Sequence, residues 1–201
     1  MKYLLIIITV TFLAFSTWYF PRYYMYFSYN KNYELEMEKV NQQLNNHSQL
    51  SIDGQKLPPF PKDDENQITL QGIDVNKNGI RDDLEIWIDL NARNKLERSA
   101  MIQFVKDHTF KEINNEEIDI EKHSIEIFQR SMDTSSCLGD ICLFLNKSNF
   151  KNINCMEQGS LMSDLVFNNR NRSWNFEKIL RNENSIYTDK PNFSTCKFEI
   201  K

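Results

Sequence analysis

Glycine and proline are scarce in this chain, with five of each among 201 residues. An all-β fold assembled from many tight turns needs more of both, so the composition argues against sandwiches and barrels. Basic residues are not in excess either, because the net charge is −4 and the pI is about 5.5. The sequence therefore offers no electrostatic basis for binding nucleic acid.

The signatures of several enzyme classes are also missing. The three histidines, His47, His108 and His123, are scattered, and none belongs to an H-E-x-x-H motif. Ser160 lies outside any G-x-S-x-G elbow, and the chain has no glycine-rich nucleotide loop. The acidic run at 116–121 is typical of a solvated helix face and singles out no carboxylate pair. These absences favour a non-enzymatic role and leave one catalytic alternative, His108 or His123 with an unidentified acid.

Charge is absent from residues 3–20, which follow Met1 and Lys2. Such a run predicts an export segment, and hence a location in the periplasm or on the extracytoplasmic face of the inner membrane. The run is just long enough to span a bilayer, and the alternative is cleavage before Thr17. Aromatic residues crowd residues 18–27 and suit a membrane interface, so we favour an uncleaved anchor over a cleaved signal peptide.

Cysteine is present four times, always in the last third of the chain and never as C-x-x-C: Cys137, Cys142, Cys155 and Cys196. Redox catalysis is therefore disfavoured, and the C-x4-C spacing without a nearby histidine matches no familiar zinc site. An even number of cysteines in an exported chain favours two disulfides. Three pairings are possible. We predict a local Cys137–Cys142 link and a long Cys155–Cys196 link that ties down the C-terminus.

The chain does contain one twelve-residue calcium-loop motif, at residues 74–85. The template requires side-chain oxygens at positions 1, 3, 5 and 9, glycine at 6, a backbone carbonyl at 7 and a bidentate glutamate at 12. Gly79 occupies position 6, and the ligand positions carry Asp74, Asn76, Asn78, Ile80, Asp82 and Glu85. We predict bound calcium. The alternative is a metal-free turn followed by a helix that Asp82 or Asp83 begins.

The string G-I-D-V-N-K-N-G-I-R-D-D-L-E, residues 72–85, resembles a stretch of uncharacterised bacterial envelope proteins. More distantly it resembles the EF-hand-like loops of dockerins and thrombospondin-type calcium repeats. A looser resemblance to the same envelope proteins covers residues 166–180. Together the two stretches cover well under half of the chain. The resemblance implies an envelope location and a bound ion, with no agreed activity.

The surroundings of the loop differ from those of a paired EF-hand. Prolines at 58, 59 and 61 exclude an entering helix, and no second loop occurs in the sequence. Position eight carries Arg81, where the resemblance implies an aliphatic residue that pairs with a second loop. Three carboxylates and two asparagines, with Lys77 and Arg81 in the same loop, predict a weak affinity of about 10⁻⁴–10⁻³ M. We therefore expect a structural calcium site that is permanently occupied, and not a calcium sensor.

Hydrophobic periodicity predicts a mainly α fold: a small helical domain with one lone calcium loop and disulfides, behind an apolar export or anchor helix. We expect helices from about residue 82 and over 96–105, 118–132, 158–168 and 173–181. Upstream, an apolar face packs on a partner or on the domain, and its residues are Tyr33, Met37, Val40 and Leu44. We divide the chain into an export segment (1–22), a polar helical stalk with a proline-containing linker (23–67), and a calcium-loop domain (68–201).

These observations predict a non-enzymatic, calcium-binding envelope protein that binds another protein. An immunity or inhibitor protein that guards against an envelope-targeting hydrolase is the specific version of this hypothesis. The alternatives are a calcium-dependent envelope hydrolase and a structural subunit of a membrane assembly. In each case we expect the N-terminal segment to contact the membrane, and we expect no nucleic acid partner.

Overall fold

The computed structural model describes residues 2–44, 54, 56–108, 120–148, 150–169, 171–173 and 196–198. For most of residues 2–26 and for 120–128 it describes the backbone alone. Within these ranges the chain forms α1 (Lys2–Leu44), α2 (Asp63–Asn66), α3 (Asp82–Asn91), α4 (Lys95–His108), α5 (Ile120–Lys147) and α6 (Cys155–Val166). No β-sheet occurs among the described residues, and the mainly α prediction is confirmed.

Local sequence explains where the helices of the domain begin. The first turn of α3 carries Asp82, Asp83 and Glu85, whose negative charges favour the N-terminus of a helix. Asn154 caps α6, because its side chain accepts hydrogen bonds from the backbone N–H groups of Met156 and Glu157. The helices expected from residue 82, over 96–105 and over 158–168 correspond to α3, α4 and α6. Most of the helix expected over 173–181 lies outside the described residues.

The core forms where α1, α3, α4, α5 and α6 meet. Contacts join α4 to α5, α1 to α3 and α6, and α6 to both α4 and α5. Each helix contributes side chains that are nearly fully buried, among them Val40, Leu84, Ile88, Met101, Phe104, Leu145, Met162 and Leu165. Each such apolar side chain contributes about 1.5–3 kcal/mol when it leaves water.

The apolar face of the predicted stalk packs on the domain, which was one of the two alternatives. Tyr33, Met37 and Val40 are 3%, 6% and 1% exposed and belong to the core. Leu44 packs against the same core at its edge. The C-terminal part of α1 is therefore an integral helix of the folded unit.

All four cysteines form disulfides, which join Cys137 to Cys196 and Cys142 to Cys155. The prediction of two disulfides is confirmed, but the predicted pairing of Cys137 with Cys142 and of Cys155 with Cys196 is wrong. Cys137 and Cys142 both lie in α5, where five residues advance about 7.5 Å along the axis and rotate by about 140°. Their side chains therefore point apart and cannot meet while the helix is intact.

In the predicted export segment, residues 1–22, most side chains lie outside the part of the chain that the structure describes. Among the residues that are described, no helix is long and apolar enough to cross a membrane. The anchor and the alternative cleavage before Thr17 stay predictions.

Candidate metal centre

The calcium-loop motif is a closed turn whose ends are hydrogen-bonded to each other. The backbone N–H of Asp82 donates to the carbonyl oxygen of Ile73 at 2.8 Å. The N–H of Val75 donates to both carboxylate oxygens of Asp82 at 3.2 Å each. Lys77 and Gly79 have positive φ angles of 58° and 85°, so the curl assigned to Gly79 is present.

Backbone N–H groups of the loop fix the side chains at positions 1, 3 and 5. Asp74 accepts from the N–H of Asn78 at 3.1 Å and from that of Gly79 at 2.8 Å. The Oδ1 atoms of Asn76 and Asn78 accept from the N–H two residues on, in Asn78 at 3.1 Å and in Ile80 at 2.8 Å. Such Asx turns are the local interactions that Asp and Asn favour in tight loops.

The side chains at positions 3, 5 and 12 meet at one atom. The Nδ2 atoms of Asn76 and Asn78 donate to Oε2 of Glu85 at 2.9 Å and 2.8 Å. Glu85 lies in the first turn of α3 and is 8% exposed, so its carboxylate reaches back over the loop. Each amide also carries an oxygen atom, and amide and carboxylate oxygens are the hard donors that calcium requires.

Electrostatic repulsion also favours a cation here. The pKa of Asp82 is raised to about 6, mainly by burial, and the hydrogen bond from Val75 opposes the rise. The neighbouring carboxylates of Asp74, Glu85 and Asp83 contribute smaller increases to the same pKa. A bound divalent cation would reverse this effect, because its charge stabilises the ionised carboxylates.

The candidate calcium site does not consist of carboxylates alone. Among the described residues, no three His, Cys, Asp or Glu side chains converge into a metal-ligand group. Of the five side-chain ligand positions, Asn76 and Asn78 supply amides and the other three supply carboxylates. Ile80, predicted to offer its backbone carbonyl, buries its side chain in the core. The proposed ligand set therefore depends on amide and backbone oxygens as much as on acids.

Arg81, at position eight, faces the protein core. It is 2% exposed, and its Nε and Nη2 atoms donate to the two carboxylate oxygens of Asp83 at 2.7 Å and 3.0 Å. Nη2 also donates to the carbonyl oxygen of Leu165 at 2.9 Å, near the end of α6, and Nη1 donates to Asn168 at 3.3 Å. Carbonyls at a helix C-terminus carry partial negative charge, so Arg81 caps α6.

Asp83 joins this ion pair to the first helix. Its Oδ2 atom accepts from the hydroxyl of Tyr33 at 2.7 Å. Burial alone would raise the pKa of Asp83, but the charge and hydrogen bonds of Arg81 and the hydroxyl of Tyr33 hold it below its ordinary value. Asp83 is therefore an ionised and fully buried carboxylate, which accepts hydrogen bonds from Arg81 and from Tyr33 of α1.

Arg172 completes what we call the arginine cluster, which consists of Arg81, Asp83, Asn168 and Arg172. Arg172 is 1% exposed, and burial lowers its pKa to about 9. It donates to Asn168 at 2.5 Å and to backbone carbonyls of residues 66, 69 and 70 at 2.6 Å, 3.1 Å and 2.9 Å. The segment 66–70, which leads into the calcium loop, is therefore held by Arg172, about 100 residues later in the sequence.

Gly72 lies where this entering segment passes the arginine cluster. Its φ is 69°, and a Cβ atom there would lie 2.3 Å from Cδ of Arg81 and 2.5 Å from Oδ1 of Asn66. Gly72, two residues before the calcium loop, is thus required by the packing of Arg81, whereas Gly79 allows the loop to curl.

The arginine cluster was missed by the sequence interpretation. Its one local signal was Arg81 at an unusual loop position, and Arg172 falls in the stretch 166–180 that carries the looser resemblance. That resemblance stays a prediction, because no protein-family model, no curated protein and no solved structure matches this chain.

Proposed function

We propose that residues 74–85 bind one calcium ion, and that this ion stabilises an extracytoplasmic helical domain that binds another protein. The observation that carries the calcium site is the convergence of Asn76 and Asn78 on Oε2 of Glu85, at 2.9 Å and 2.8 Å. Two disulfides support an oxidising compartment outside the cytoplasm. The ion stabilises the start of α3, since Asp82 and Glu85 both lie in the first turn of this helix.

A protein partner is supported by large apolar side chains that face solvent around one disulfide. Leu143 and Phe144 follow Cys142 and are 52% and 56% exposed, and Met156 follows Cys155 and is 87% exposed. The Cys142–Cys155 bond brings the Cα atoms of the two cysteines to 5.7 Å, so the segments that carry these side chains are neighbours. Exposed apolar side chains on neighbouring segments are a common feature of protein interaction sites.

Calcium is expected to raise the melting temperature of the full chain. With a Kd of about 10⁻⁴–10⁻³ M, 10 mM calcium stabilises the folded state by about 1.4–2.7 kcal/mol. For a domain of this size the expected rise is about 3–10 °C relative to chelator, measured by circular dichroism. Glu85→Gln should remove most of the rise, because it weakens the bidentate ligand.

The matched control is Glu65→Gln, since Glu65 is an exposed glutamate outside the loop. This variant should respond to calcium as the wild type does, and 10 mM magnesium should raise the melting temperature less. A wild-type melting curve that calcium leaves unmoved would refute the calcium site.

One pair of side chains favours the hydrolase alternative as a second candidate. Ser131 Oγ lies 2.7 Å from Nε2 of His108, and Nδ1 of His108 lies 2.7 Å from the carbonyl oxygen of Phe104. With the proton on Nδ1, Nε2 accepts the serine hydroxyl, as in a nucleophile and its base. Burial lowers the pKa of His108, which keeps the ring neutral and able to accept a proton. The side chains of His47 and His123 lie outside the described residues.

The hydrolase ranks second because of where Ser131 lies. It is in the middle of α5, where backbone N–H groups are engaged in helical hydrogen bonds and are not free to stabilise an oxyanion. A reactive serine would be labelled by a fluorophosphonate probe, with the adduct located by peptide mass spectrometry. Labelling of Ser131 should disappear in His108→Gln and persist in Ser135→Ala. A wild-type chain that takes up no probe at Ser131 eliminates this candidate.

A further inference from the structure

We infer that calcium binding in the loop is coupled to the docking of α1 on the domain, so that each stabilises the other. This inference rests on the proposed calcium site and adds a specific consequence of ion binding. The coupling element is the first turn of α3, which the loop and α1 share. Its two adjacent carboxylates, Asp82 and Asp83, connect the two sites.

Asp82 and Asp83 direct their carboxylates to different parts of the structure. The carboxylate of Asp82 turns into the loop and accepts from Val75 at 3.2 Å. The carboxylate of Asp83 turns into the core, where it accepts from Tyr33 at 2.7 Å and from Arg81 at 2.7 Å. Consecutive residues of a helix are fixed about 100° apart, so a shift of the first turn of α3 moves the backbone of both residues together.

Polar contacts then fix α1 against α3 at two levels. The hydroxyl of Tyr33 reaches Asp83, and one turn further along both helices the indole Nε1 of Trp87 donates to Oε2 of Glu36 at 3.0 Å. Tyr33 and Trp87 are both only 3% exposed. The position of α3 therefore determines whether α1 can satisfy these buried polar groups.

The ion would set the position of that turn. Glu85 and Asp82 lie in it, and Asp74 lies opposite them across the loop. Without a cation the three carboxylates repel one another, and with a cation they are held together. Calcium thus holds the turn in the geometry in which Asp83 meets Tyr33. By linkage, the factor by which calcium favours the docking of Tyr33 on Asp83 equals the factor by which that docking favours calcium binding, so losing the bond should weaken calcium binding by up to that factor.

The variant Tyr33→Phe tests this coupling, because it removes one hydroxyl and keeps the buried ring. We expect its calcium affinity, measured by isothermal titration on the full chain, to fall by about threefold to tenfold. The matched control is Tyr29→Phe, one turn earlier on α1, where the neighbouring carboxylate is that of Asp164 in α6. This control should bind calcium with the wild-type affinity.

A second measurement uses the wild type alone, and thus does not depend on the folding of any variant. Hydrogen exchange of residues 33–44 should be slower in calcium than in chelator. If the wild type binds no calcium, the proposed site is wrong and the coupling falls with it. If the wild type binds calcium but exchange in 33–44 is unchanged, the coupling is overturned and the site stands. Wild-type affinity in a folded Tyr33→Phe chain would overturn the coupling in the same way.

Discussion

Replacing Asp83 with alanine is expected to destabilise the folded domain by about 3–5 kcal/mol, because it leaves a buried arginine without its counter-ion. Arg81 and Asp83 are 2% and 0% exposed, and Arg172 lies close enough to lower the pKa of Asp83 further. Both side chains are shielded from bulk water, so the guanidinium that remains is poorly solvated. Since single domains are stable by about 5–15 kcal/mol, the variant should lose a large part of its stability.

Urea unfolding in the presence of calcium, followed by circular dichroism, measures this loss. Glu65→Ala is the control, because it breaks an ion pair with Lys62 whose two side chains are 52% and 77% exposed. Exposed pairs contribute little, so its midpoint should stay close to that of the wild type. Arg81→Met combined with Asp83→Leu should recover part of the stability, as both charges are then removed together. A loss for Asp83→Ala no larger than that for Glu65→Ala would contradict the assigned role of the arginine cluster.

Removing the Cys137–Cys196 disulfide by serine substitution is the second large effect. The two cysteines are 59 residues apart, against 13 for Cys142 and Cys155. In the loop-entropy model these separations correspond to a loss of about 4 kcal/mol for the long bridge and about 3 kcal/mol for the short one. The difference arises because a longer loop gains more conformational freedom in the unfolded chain when its bridge is cut.

Two measurements check the disulfides. Denaturant unfolding of the two double-serine variants should place the variant without Cys137–Cys196 below the variant without Cys142–Cys155. Peptide mapping under non-reducing conditions should recover both bridges with these partners. The reverse order of stability would contradict the loop-entropy argument, and a linked Cys137–Cys142 peptide would contradict the fold of α5.

Features that depend on neighbouring residues in the sequence were predictable. The start of α3 followed from acids after a glycine turn, and α4 and α6 followed from apolar residues at helical spacing. The number of disulfides followed from the even number of cysteines, but their partners did not. Pairing depends on how α5 lies against Cys155 and Cys196, and no pattern within a single segment records this.

Arg81 shows why the surroundings of the candidate site could not be predicted in the same way. A charged residue at position eight of a calcium loop was taken as evidence against a paired loop, which was an interpretation of its local position. Its burial depends on carbonyl oxygens of residues 165 and 166, more than 80 positions away in the sequence. Likewise, the periodic face of Tyr33, Met37 and Val40 was visible, but only the fold shows that α3 and α6 cover it.

The contact of Arg172 with the carbonyl oxygen of Asn66 joins residues 106 positions apart and has a consequence for the order of folding. A ribosome adds about 5–20 residues per second, so the first helix and the calcium loop exist for several seconds before Arg172 has been made. During that time the segment that enters the loop has no clamp, and the acceptors of Arg172 are open to water. The clamp on the segment that enters the loop can therefore form only after residue 172 has been made, later than any contact within residues 66–85.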